Sequence, residues 1–384
     1  MQILESEDHR AIRQSVAAIT DRFGPAYFAE QSNNGGNTDE LWRALGESGF
    51  IGINLPEEHG GGGAGMTELA LVVEETAARG CPLLLLLVSS AISGELISKY
   101  GSPEQQETWI PKMCSGESKV VFAITEPDAG SNTHKMSTTA TRDGDDWILN
   151  GTKYYISGVD EADALVVVTR TGVDPESGRG RLSLFIVPTD TPGLIKQELP
   201  VAAVMPEKQF TLFFQDMRLP ASALLGEVDK GFKQVFDGLN PERITGAALC
   251  VGIGRFVVER GAEYARTREV WGTPIGSHQA VSHPLAEASI GVELAAMATS
   301  RAAWLYQNNL PAGEASNIAK FAAADAALKA ADTAIQTHGG NGLSVEYGLF
   351  PYWALARLLR IAPVSREMIL NYVAQHSLRL PRSY

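Results

Sequence analysis

The stretch that decides the fold is "FAITEPDAGSNT", which runs from Phe122 to Thr133. Its threonine, serine and asparagine side chains offer hydroxyl and amide groups, and Gly130 lets the backbone approach a planar or phosphorylated ligand closely. Composition alone favours a plainer interpretation, a polar turn at the entry to a sheet. The segments on either side must decide between the two, because the chain changes character at this stretch.

Three segments follow one another along the chain. Residues 1–120 have apolar side chains at the three- and four-residue spacing of amphipathic helices, as in "EDHRAIRQSVAAITDRF". Residues 121–228 are rich in Val, Phe, Leu and Thr and are punctuated by Pro and Gly, which predicts an antiparallel sheet. Residues 229–384 return to helices that are longer and richer in alanine. The sequence therefore predicts a helical domain, a β-domain and a second helical domain, with these bounds.

Bulk composition excludes several classes of protein. The 384 residues are 44% hydrophobic and 20% charged, as in a globular protein. The net charge of -13 argues against a nucleic-acid partner, which would need a basic surface. The most apolar run, Pro82 to Val88, is too short to span a membrane, which takes about 20 residues. Seven histidines show no metal-binding spacing, so no metal is expected. Three isolated cysteines predict a reducing, cytoplasmic location.

The β-segment contains a second stretch of interest, "DDWILNGTKYYISG". We predict a strand, an Asn-Gly turn and a second strand, since Asn-Gly favours the tight turns of hairpins. The Tyr-Ile-Ser part of the second strand would suit the face of an aromatic ring. A hairpin without any ligand is the alternative.

Two further stretches lie in the C-terminal segment. In "YARTREVWGTPIGSHQAV", Arg268, Trp271 and Gln279 fall on a predicted helix–loop–helix. A guanidinium matches the geometry of a diphosphate, although an exposed helix arginine is the plainer interpretation of Arg268. In "QTHGGNG", Gly339 and Gly340 allow another backbone to approach. Each stretch alone is a weak signal.

Together and in this order, these stretches resemble the acyl-CoA dehydrogenase family. The resemblance covers nearly the whole chain through "LPEEHGGGG", "AITEPDAGSN", "LNGTKYYISG", "VWGTPIGSHQAV" and "IQTHGGNGLSVEY". It implies an α+β fold with an N-terminal helical domain, a central antiparallel β-domain and a C-terminal four-helix bundle. It also implies tightly bound FAD and a dimer or, more often, a homotetramer built as a dimer of dimers.

The resemblance also implies a set of flavin contacts. The segment from Phe122 to Ser131 would hold the flavin, with Thr125 near its pyrimidine side. Arg268 would bind the FAD diphosphate and adenine end, and residues 336–340 would contact the FAD of the neighbouring subunit. The family usually has Trp at the position of Tyr155 and commonly Phe at that of Trp271. The predicted cofactor contacts are Phe122, Ile124, Thr125, Gly130, Ser131, Tyr155, Ile156, Ser157, Arg268, Trp271, Gln279, Gln336, Gly339 and Gly340.

The catalytic base is a separate question. The family removes two hydrogens from an acyl thioester, with a carboxylate taking the α-proton. Most members carry that carboxylate in a C-terminal "Y-E-G-T" motif. In this chain the register places Pro363 at the glutamate, Val364 at the glycine and Ser365 at the threonine. The Arg-Asp pair often found upstream is replaced by Ala354 and Leu355. The usual base is absent.

A minority of the family places the base on the helix that opens the C-terminal bundle, directly before an arginine. The stretch "LNPERITGA" has Glu242 at that position, after an Asn-Pro pair that we expect to begin the helix. Glu242 is therefore predicted to be the base. The alternative is a first-turn acid stabilised by the helix dipole, worth about 0.3–1 kcal/mol. Glu367 is a weaker rival for the role of base.

Substrate contacts follow from the same resemblance. Arg243 would orient the carboxylate or contact the substrate, and Asn240 stands where relatives often have an Asp that contacts CoA. Ser131 would also face the CoA moiety. The apolar run from Pro82 to Val88 would line the acyl pocket or form buried core.

The sequence thus predicts an FAD-dependent acyl-CoA dehydrogenase that forms the trans-2-enoyl-CoA and passes electrons to an electron-transfer flavoprotein. Two alternatives keep the fold. One is an oxidase or flavin monooxygenase that reacts with oxygen, and such monooxygenases generally need no base for a thioester. The other is a non-catalytic paralogue that pairs with an active subunit. Nothing in the sequence selects an acyl length or branching pattern.

Overall fold

The computed structural model describes residues 5–382 and, for His134, the backbone only. Its N-terminal part is helical. A π-helical segment at Leu86–Gly94 runs directly into the fifth helix. The six α-helices are α1 (Glu7–Thr20), α2 (Gly24–Asn34), α3 (Asp39–Glu47), α4 (Met66–Ala78), α5 (Glu95–Tyr100) and α6 (Pro103–Cys114).

Local signals account for several of these helix ends. The Ser6 hydroxyl accepts a hydrogen bond from the His9 backbone at 3.1 Å and caps α1. Ser102 and Gln105 form a reciprocal capping box at the start of α6. Gly80, with φ at +85°, ends the turn after α4 in a conformation that suits glycine.

The central part is one eight-stranded sheet in the order β6-β7-β3-β2-β4-β5-β8, with β1 beside β4. Most neighbours are antiparallel, as predicted, but β1 and β2 run parallel to β4. Parallel neighbours need a long connection, and residues 124–163 supply it between β1 and β4. The strands are β1 (Val120–Ala123), β2 (Thr139–Asp143), β3 (Asp146–Ser157), β4 (Ala164–Val173), β5 (Gly180–Pro188), β6 (Leu194–Glu198), β7 (Gln209–Leu219) and β8 (Leu224–Leu225).

The prediction of a hairpin turn at Asn150–Gly151 is wrong, because β3 runs through these two residues as one strand. A Cβ on Gly151 would lie 2.5 Å from the Cα of Thr138, so this glycine permits a close approach of two backbones. The tight turn falls earlier, between β2 and β3, where Gly144 has φ at +64°.

The C-terminal part is built from three long helices and two short ones. They are α7 (Gly231–Thr267), α8 (Gln279–Gln307), α9 (Gly313–His338), α10 (Phe350–Leu359) and α11 (Arg366–Tyr372), with the two-residue strands β9 (Glu269–Val270) and β10 (Thr273–Pro274) between α7 and α8. The three long helices pack on one another, and the predicted fourth member of the bundle is divided between α10 and α11, which pack against α9.

The Asn-Pro pair at 240–241 does not begin a helix, which corrects the sequence prediction. Helix α7 begins at Gly231 and continues through Pro241. A Cβ on Gly231 would lie 2.7 Å from the backbone of Leu182, so contact with strand β5 fixes the start of the helix. This tertiary contact outweighs the local preference of a residue before proline for extended backbone.

Small residues bring the helices of this domain close together. A Cβ on Gly252 would lie 2.2 Å from the carbonyl oxygen of Glu74, and one on Gly254 would lie 2.6 Å from Val292. Gly252 therefore brings α7 against the backbone of α4, and Gly254 makes room on α7 for the side chain of Val292 from α8. Within residues 5–382, no helix has both the length and the apolar character needed to cross a membrane.

Candidate active site

The apolar run at residues 82–88 connects two candidate parts of the site. A Cβ on Gly158, at the end of β3, would lie 2.8 Å from Leu85 Cδ2. A Cβ on Gly246, in α7, would lie 3.7 Å from Leu87 Cδ2. The run therefore lies between the strand that carries Tyr155 and the helix that carries Glu242. Its leucines are buried, as the core interpretation predicts, and a role in lining the acyl pocket stays a prediction.

Glu242 lies about three turns after the start of α7, so the interpretation as a first-turn capping acid is wrong. Its side chain is only half-buried, yet enough protein surrounds it to desolvate the carboxylate. Burial raises the pKa of Glu242 to about 7, against the opposing influence of the Arg243 and Lys320 charges. A carboxylate that is desolvated but still accessible has the properties of a general base that works near neutral pH.

Glu242 and Pro363, the position of the family's usual base, lie near the same part of helix α7. Gly246 is one helical turn after Glu242, and a Cβ on it would lie 3.7 Å from Pro363 Cδ. Glu367 is exposed in the first turn of α11. This geometry favours Glu242 over Glu367, because an exposed carboxylate keeps its hydration.

Arg243 and Asn240 lie next to the candidate base. Arg243 donates a hydrogen bond from NH1 to Asn240 Oδ1 at 3.0 Å. Burial lowers the pKa of Arg243, and the Glu242 carboxylate partly opposes this. Within the part of the chain that the structure describes, the buried Arg243 Nε has no hydrogen-bond partner. This N–H group could bind an acceptor on a substrate.

The loop at 124–138 is held by a buried ion pair that the sequence analysis missed. Lys153 Nζ lies 2.9 Å from Glu126 Oε1 and donates a second hydrogen bond, also of 2.9 Å, to the carbonyl of Ile124. The Glu126 carboxylate also accepts hydrogen bonds from the backbones of Ser137 and Thr138. Burial acts to raise the pKa of Glu126, but Lys153 and these donors outweigh it and lower the pKa to about 2.

One signal for this pair was present in the sequence. Lys153 occupies a position in β3 where the alternation of side chains points it inward, and a lysine at such a position requires a partner. The identity of that partner, 27 residues earlier, could not be read from the strand pattern.

The Tyr-Ile-Ser stretch presents its three side chains differently. Tyr155 is 54% exposed and has φ at +58° beside a register shift in the β3–β7 pairing. Ile156 is buried in the core, so its side chain does not face outward. The Ser157 hydroxyl donates to Gln209 Oε1 at 3.1 Å. Of the three, Tyr155 offers the ring that a flat ligand could stack on.

One predicted contact, Arg268, lines a groove of about 370 Å³ in the C-terminal domain. Arg268 and the 338–341 region, distant in sequence, meet there, and no residue of the sheet lines it. Gln336, Gly339, Gly340 and Gln279 are exposed, as is Trp271 at 89%. The lining residues are Arg260, Glu263, Tyr264, Thr267, Arg268, His338, Asn341 and Tyr347.

The residues that line this groove fit FAD. The groove offers guanidinium, hydroxyl and amide donors, which are the groups that bind phosphates. A Cβ built on Gly339 or on Gly340 would meet no atom within 4 Å, so the backbone there is open to a ligand. The sheet contributes the exposed ring of Tyr155 and the loop braced by Glu126. Together with the order of the three domains, this donor set is that of a flavin-dependent oxidoreductase.

Comparison with known proteins identifies the family. Models of the N-terminal, middle and C-terminal domains of acyl-CoA dehydrogenase match residues 6–117, 121–217 and 229–378. The chain belongs to the acyl-CoA dehydrogenase family. It is an oxidoreductase of the acyl-CoA dehydrogenase type with FAD as its cofactor, which confirms the predicted family, fold class, enzyme class and cofactor.

Individual relatives match over nearly their full length. Acyl-CoA dehydrogenase FadE12 of Mycobacterium tuberculosis is 52% identical over 383 residues, which are 99% of this chain and 98% of the relative. The solved glutaryl-coenzyme A dehydrogenase–glutaryl-CoA complex superposes with a TM-score of 0.95 at 29% identity, covering 100% of this chain and 98% of that one. A chain from a study of the electron-transferring flavoprotein of Acidaminococcus fermentans superposes at 0.93 with 29% identity, covering 99% and 100%.

Proposed function

We propose that this acyl-CoA dehydrogenase uses Glu242 as the base that removes the α-proton of an acyl-CoA thioester, and that the product is the trans-2-enoyl-CoA. The observation that carries the proposal is the position of Glu242. Its carboxylate lies one turn from Gly246, which faces Pro363, the residue that replaces the usual glutamate of the family. A base at 242 thus serves the space that a base at 363 would serve.

The roles of the surrounding groups follow from their chemistry. Glu242 with a pKa near 7 is sufficiently ionised to accept a proton and sufficiently basic to remove one from a weak carbon acid. Arg243, held by Asn240, keeps a positive charge beside that carboxylate and offers its free N–H group to the substrate. The bound flavin supplies the acceptor for the hydride that leaves the β-carbon.

Two parts of the molecule would hold FAD. The segment from Phe122 to Ser131 would bind the flavin end, braced by Glu126 and Lys153, with Tyr155 and Ser157 beside the ring system and Ile156 contributing backbone only. The groove with Arg268 would bind the diphosphate and adenine end. The 336–341 stretch contributes His338 and Asn341 to that groove, so if this stretch meets the FAD of a neighbouring subunit, Arg268 meets the same FAD.

That arrangement needs more than one copy of the chain, and we propose a homotetramer built as a dimer of dimers. Ser131 and Asn240 would contact the CoA moiety. We further propose an electron-transfer flavoprotein as electron acceptor, supported by the similarity to a chain studied with the flavoprotein of Acidaminococcus fermentans. A cytoplasmic location stays a prediction, consistent with three cysteines that are all free and buried.

Two other functions compete on the same fold. A flavin monooxygenase would not need a desolvated carboxylate in the substrate space, so Glu242 counts against it. A non-catalytic paralogue would not need an open groove rich in phosphate-binding donors. An oxidase that acts on a thioester would need the same base, and the rate of reoxidation by oxygen distinguishes it from a dehydrogenase.

The test is anaerobic mixing of the purified, flavin-loaded enzyme with butyryl-, octanoyl-, palmitoyl- and isobutyryl-CoA. We expect bleaching of the flavin absorbance by at least one of these substrates, followed by reoxidation by an electron-transfer flavoprotein but only slowly by oxygen. The chain length that bleaches fastest defines the substrate class. Absence of bleaching with all four, or rapid reoxidation by oxygen alone, would contradict the proposal.

A further inference from the structure

Lys320 is a buried cation to which the proposed proton transfer assigns no role. It lies in α9, with 1% of its surface exposed, on a buried helix face made mostly of alanines, with Ser316 and Asn317 one turn earlier. Its ammonium group donates a hydrogen bond of 2.7 Å to the carbonyl of Val364. Val364 directly follows Pro363, which faces Gly246 on the helix of the base. Lys320 therefore ties the segment that replaces the usual base to the core of the bundle.

This lysine has few compensating partners. Asp325, one turn further along α9, is already paired with Arg360 at 2.7 Å and with Arg366 at 3.1 Å. Within residues 5–382, Lys320 forms no ion pair closer than 4.0 Å. A methionine would fill the same volume without the cost of burying a charge. A role for the positive charge of Lys320 must therefore lie in its effect on the groups around it.

The charged and titratable groups around Lys320 come from two helices. Glu242, Arg243 and Cys250 face it from α7, and Asp325 lies on its own helix. Around Glu242 the groups are Arg243 and Lys320, and Tyr372 of α11 faces Arg243. Two buried cations thus accompany one carboxylate.

We propose that Lys320 is a positioning residue for the α-proton transfer: its ammonium group holds the Pro363–Val364 segment against the bundle and supplies the second buried positive charge beside Glu242. The inference rests on the proposed role of Glu242. It assigns to α9 a function in catalysis although no α9 side chain has been placed against the substrate.

The charge of Lys320 has a direction of effect that can be measured. Burial lowers the pKa of Lys320 to about 8, while Cys250 and Glu242 act to raise it. The ammonium is therefore charged at neutral pH, where it lowers the pKa of Glu242 and keeps the base ionised. Above about pH 9 Lys320 is largely neutral in the wild type, and its influence on Glu242 disappears.

The experiment is single-turnover flavin reduction by octanoyl-CoA, or by whichever acyl-CoA bleaches fastest, across the pH range in which Glu242 titrates. Lys320→Met removes both the charge and the hydrogen bond, Lys320→Gln keeps a hydrogen-bond donor without charge, and Lys320→Arg keeps the charge. Lys329→Met is the matched control, because it removes an exposed lysine from the same helix.

We expect Lys320→Met and Lys320→Gln to shift the acidic limb of the profile upward by about one pH unit, which slows reduction about tenfold below that limb. The deficit should shrink to within about threefold above pH 9, because wild-type Lys320 is then largely neutral. Lys320→Arg should keep the limb within about half a pH unit of wild type. Lys329→Met should follow the wild-type profile.

A loss of rate that is equal at every pH, or an unshifted limb, would overturn the inference, because a packing defect does not depend on the charge of Glu242. Failure of all three Lys320 variants to fold with bound flavin would also overturn it and make the residue structural. Glu242→Gln is measured in parallel. If that variant reduces at the wild-type rate, the proposed base is wrong; if it does not reduce while Lys320→Met has a wild-type profile, only the role of Lys320 fails.

Discussion

Pro363 packs against Gly246: a Cβ built on that glycine would lie 3.7 Å from the proline ring. Gly246 is one helical turn from Glu242, so the residue at 363 packs close to the part of α7 that carries the proposed base. If Glu242 is the base, this proximity explains how the carboxylate can move from one element to the other while the fold is kept. Both positions can be tested, by removing the carboxylate at 242 and by adding one at 363.

The first prediction is partial rescue. In the Glu242→Gln background, Pro363→Glu returns a carboxylate to the shared space, and we expect flavin reduction to rise at least about tenfold above that of the single variant. Full activity is not expected, because Lys320 binds the carbonyl of Val364 and fixes the backbone for a proline at 363. Pro363→Gln in the same background is the control. Equal recovery with glutamine would show that backbone change, and not the carboxylate, is responsible.

The second prediction concerns the groove. Arg268→Ala removes a guanidinium that lines it, and loss of a charge-assisted contact costs roughly 1.5–3 kcal/mol. We expect FAD to dissociate about ten- to a hundredfold more readily, while the flavin-loaded fraction turns over at nearly the normal rate. Arg266→Ala is the control, because Arg266 is exposed in the same turn but pairs with Glu259 outside the groove. Equal flavin content in the two purified variants would refute the assignment.

The third prediction uses the pKa of Glu242. Because the folded state raises that pKa to about 7, it binds more protons than the unfolded chain between about pH 4.5 and 7. Stability from this group is therefore present at low pH and is lost as pH rises through 7. Glu242→Gln should raise the free energy of unfolding at pH 8 by up to roughly 3 kcal/mol, with no gain near pH 4.5. Denaturant unfolding at the two pH values measures this, and a gain of equal size at both would point to packing.

The fourth prediction concerns the flavin loop. Lys153→Met leaves the Glu126 carboxylate buried without its cation, which typically costs about 3–5 kcal/mol. We expect a lower midpoint of unfolding and weaker FAD retention, because Lys153 also holds the carbonyl of Ile124. Lys135→Met, at an exposed position in the same loop, should leave both quantities unchanged. Normal stability of Lys153→Met would show that the pair does not brace the loop.

Sequence reasoning recovered the order of helix, sheet and helix because periodicity and composition report secondary structure directly. It failed where tertiary contact decides. Gly151 was assigned to a turn because Asn-Gly favours turns, whereas the structure uses the glycine for a close approach to Thr138. The start of α7 was placed at the Asn-Pro pair for the same local reason. The helix begins ten residues before Pro241, at Gly231, where contact with Leu182 fixes its start.

The residues of the candidate site divide in the same way, into those that lie in a recognisable stretch and those that only packing brings together. Glu242 and Arg268 could be singled out because each lies within a short recognisable stretch. Lys320 could not, since its partners Val364 and Glu242 are far away in sequence and meet it only through the packing of three helices. The pair of Glu126 and Lys153 was missed because the two residues meet only where the loop at 124–138 folds against β3.

The central claim is that Glu242 is the base, and single-turnover flavin reduction under anaerobic conditions tests it most directly. Glu242→Gln keeps the shape of the side chain and removes its ability to accept a proton. With FAD occupancy matched between variants, acyl-CoA should still perturb the flavin spectrum, and the rate of reduction should fall by about 10²–10⁴. Glu367→Gln, at an exposed position on α11, should reduce within a few-fold of wild type. Normal reduction by Glu242→Gln together with loss of reduction in Glu367→Gln would contradict the account.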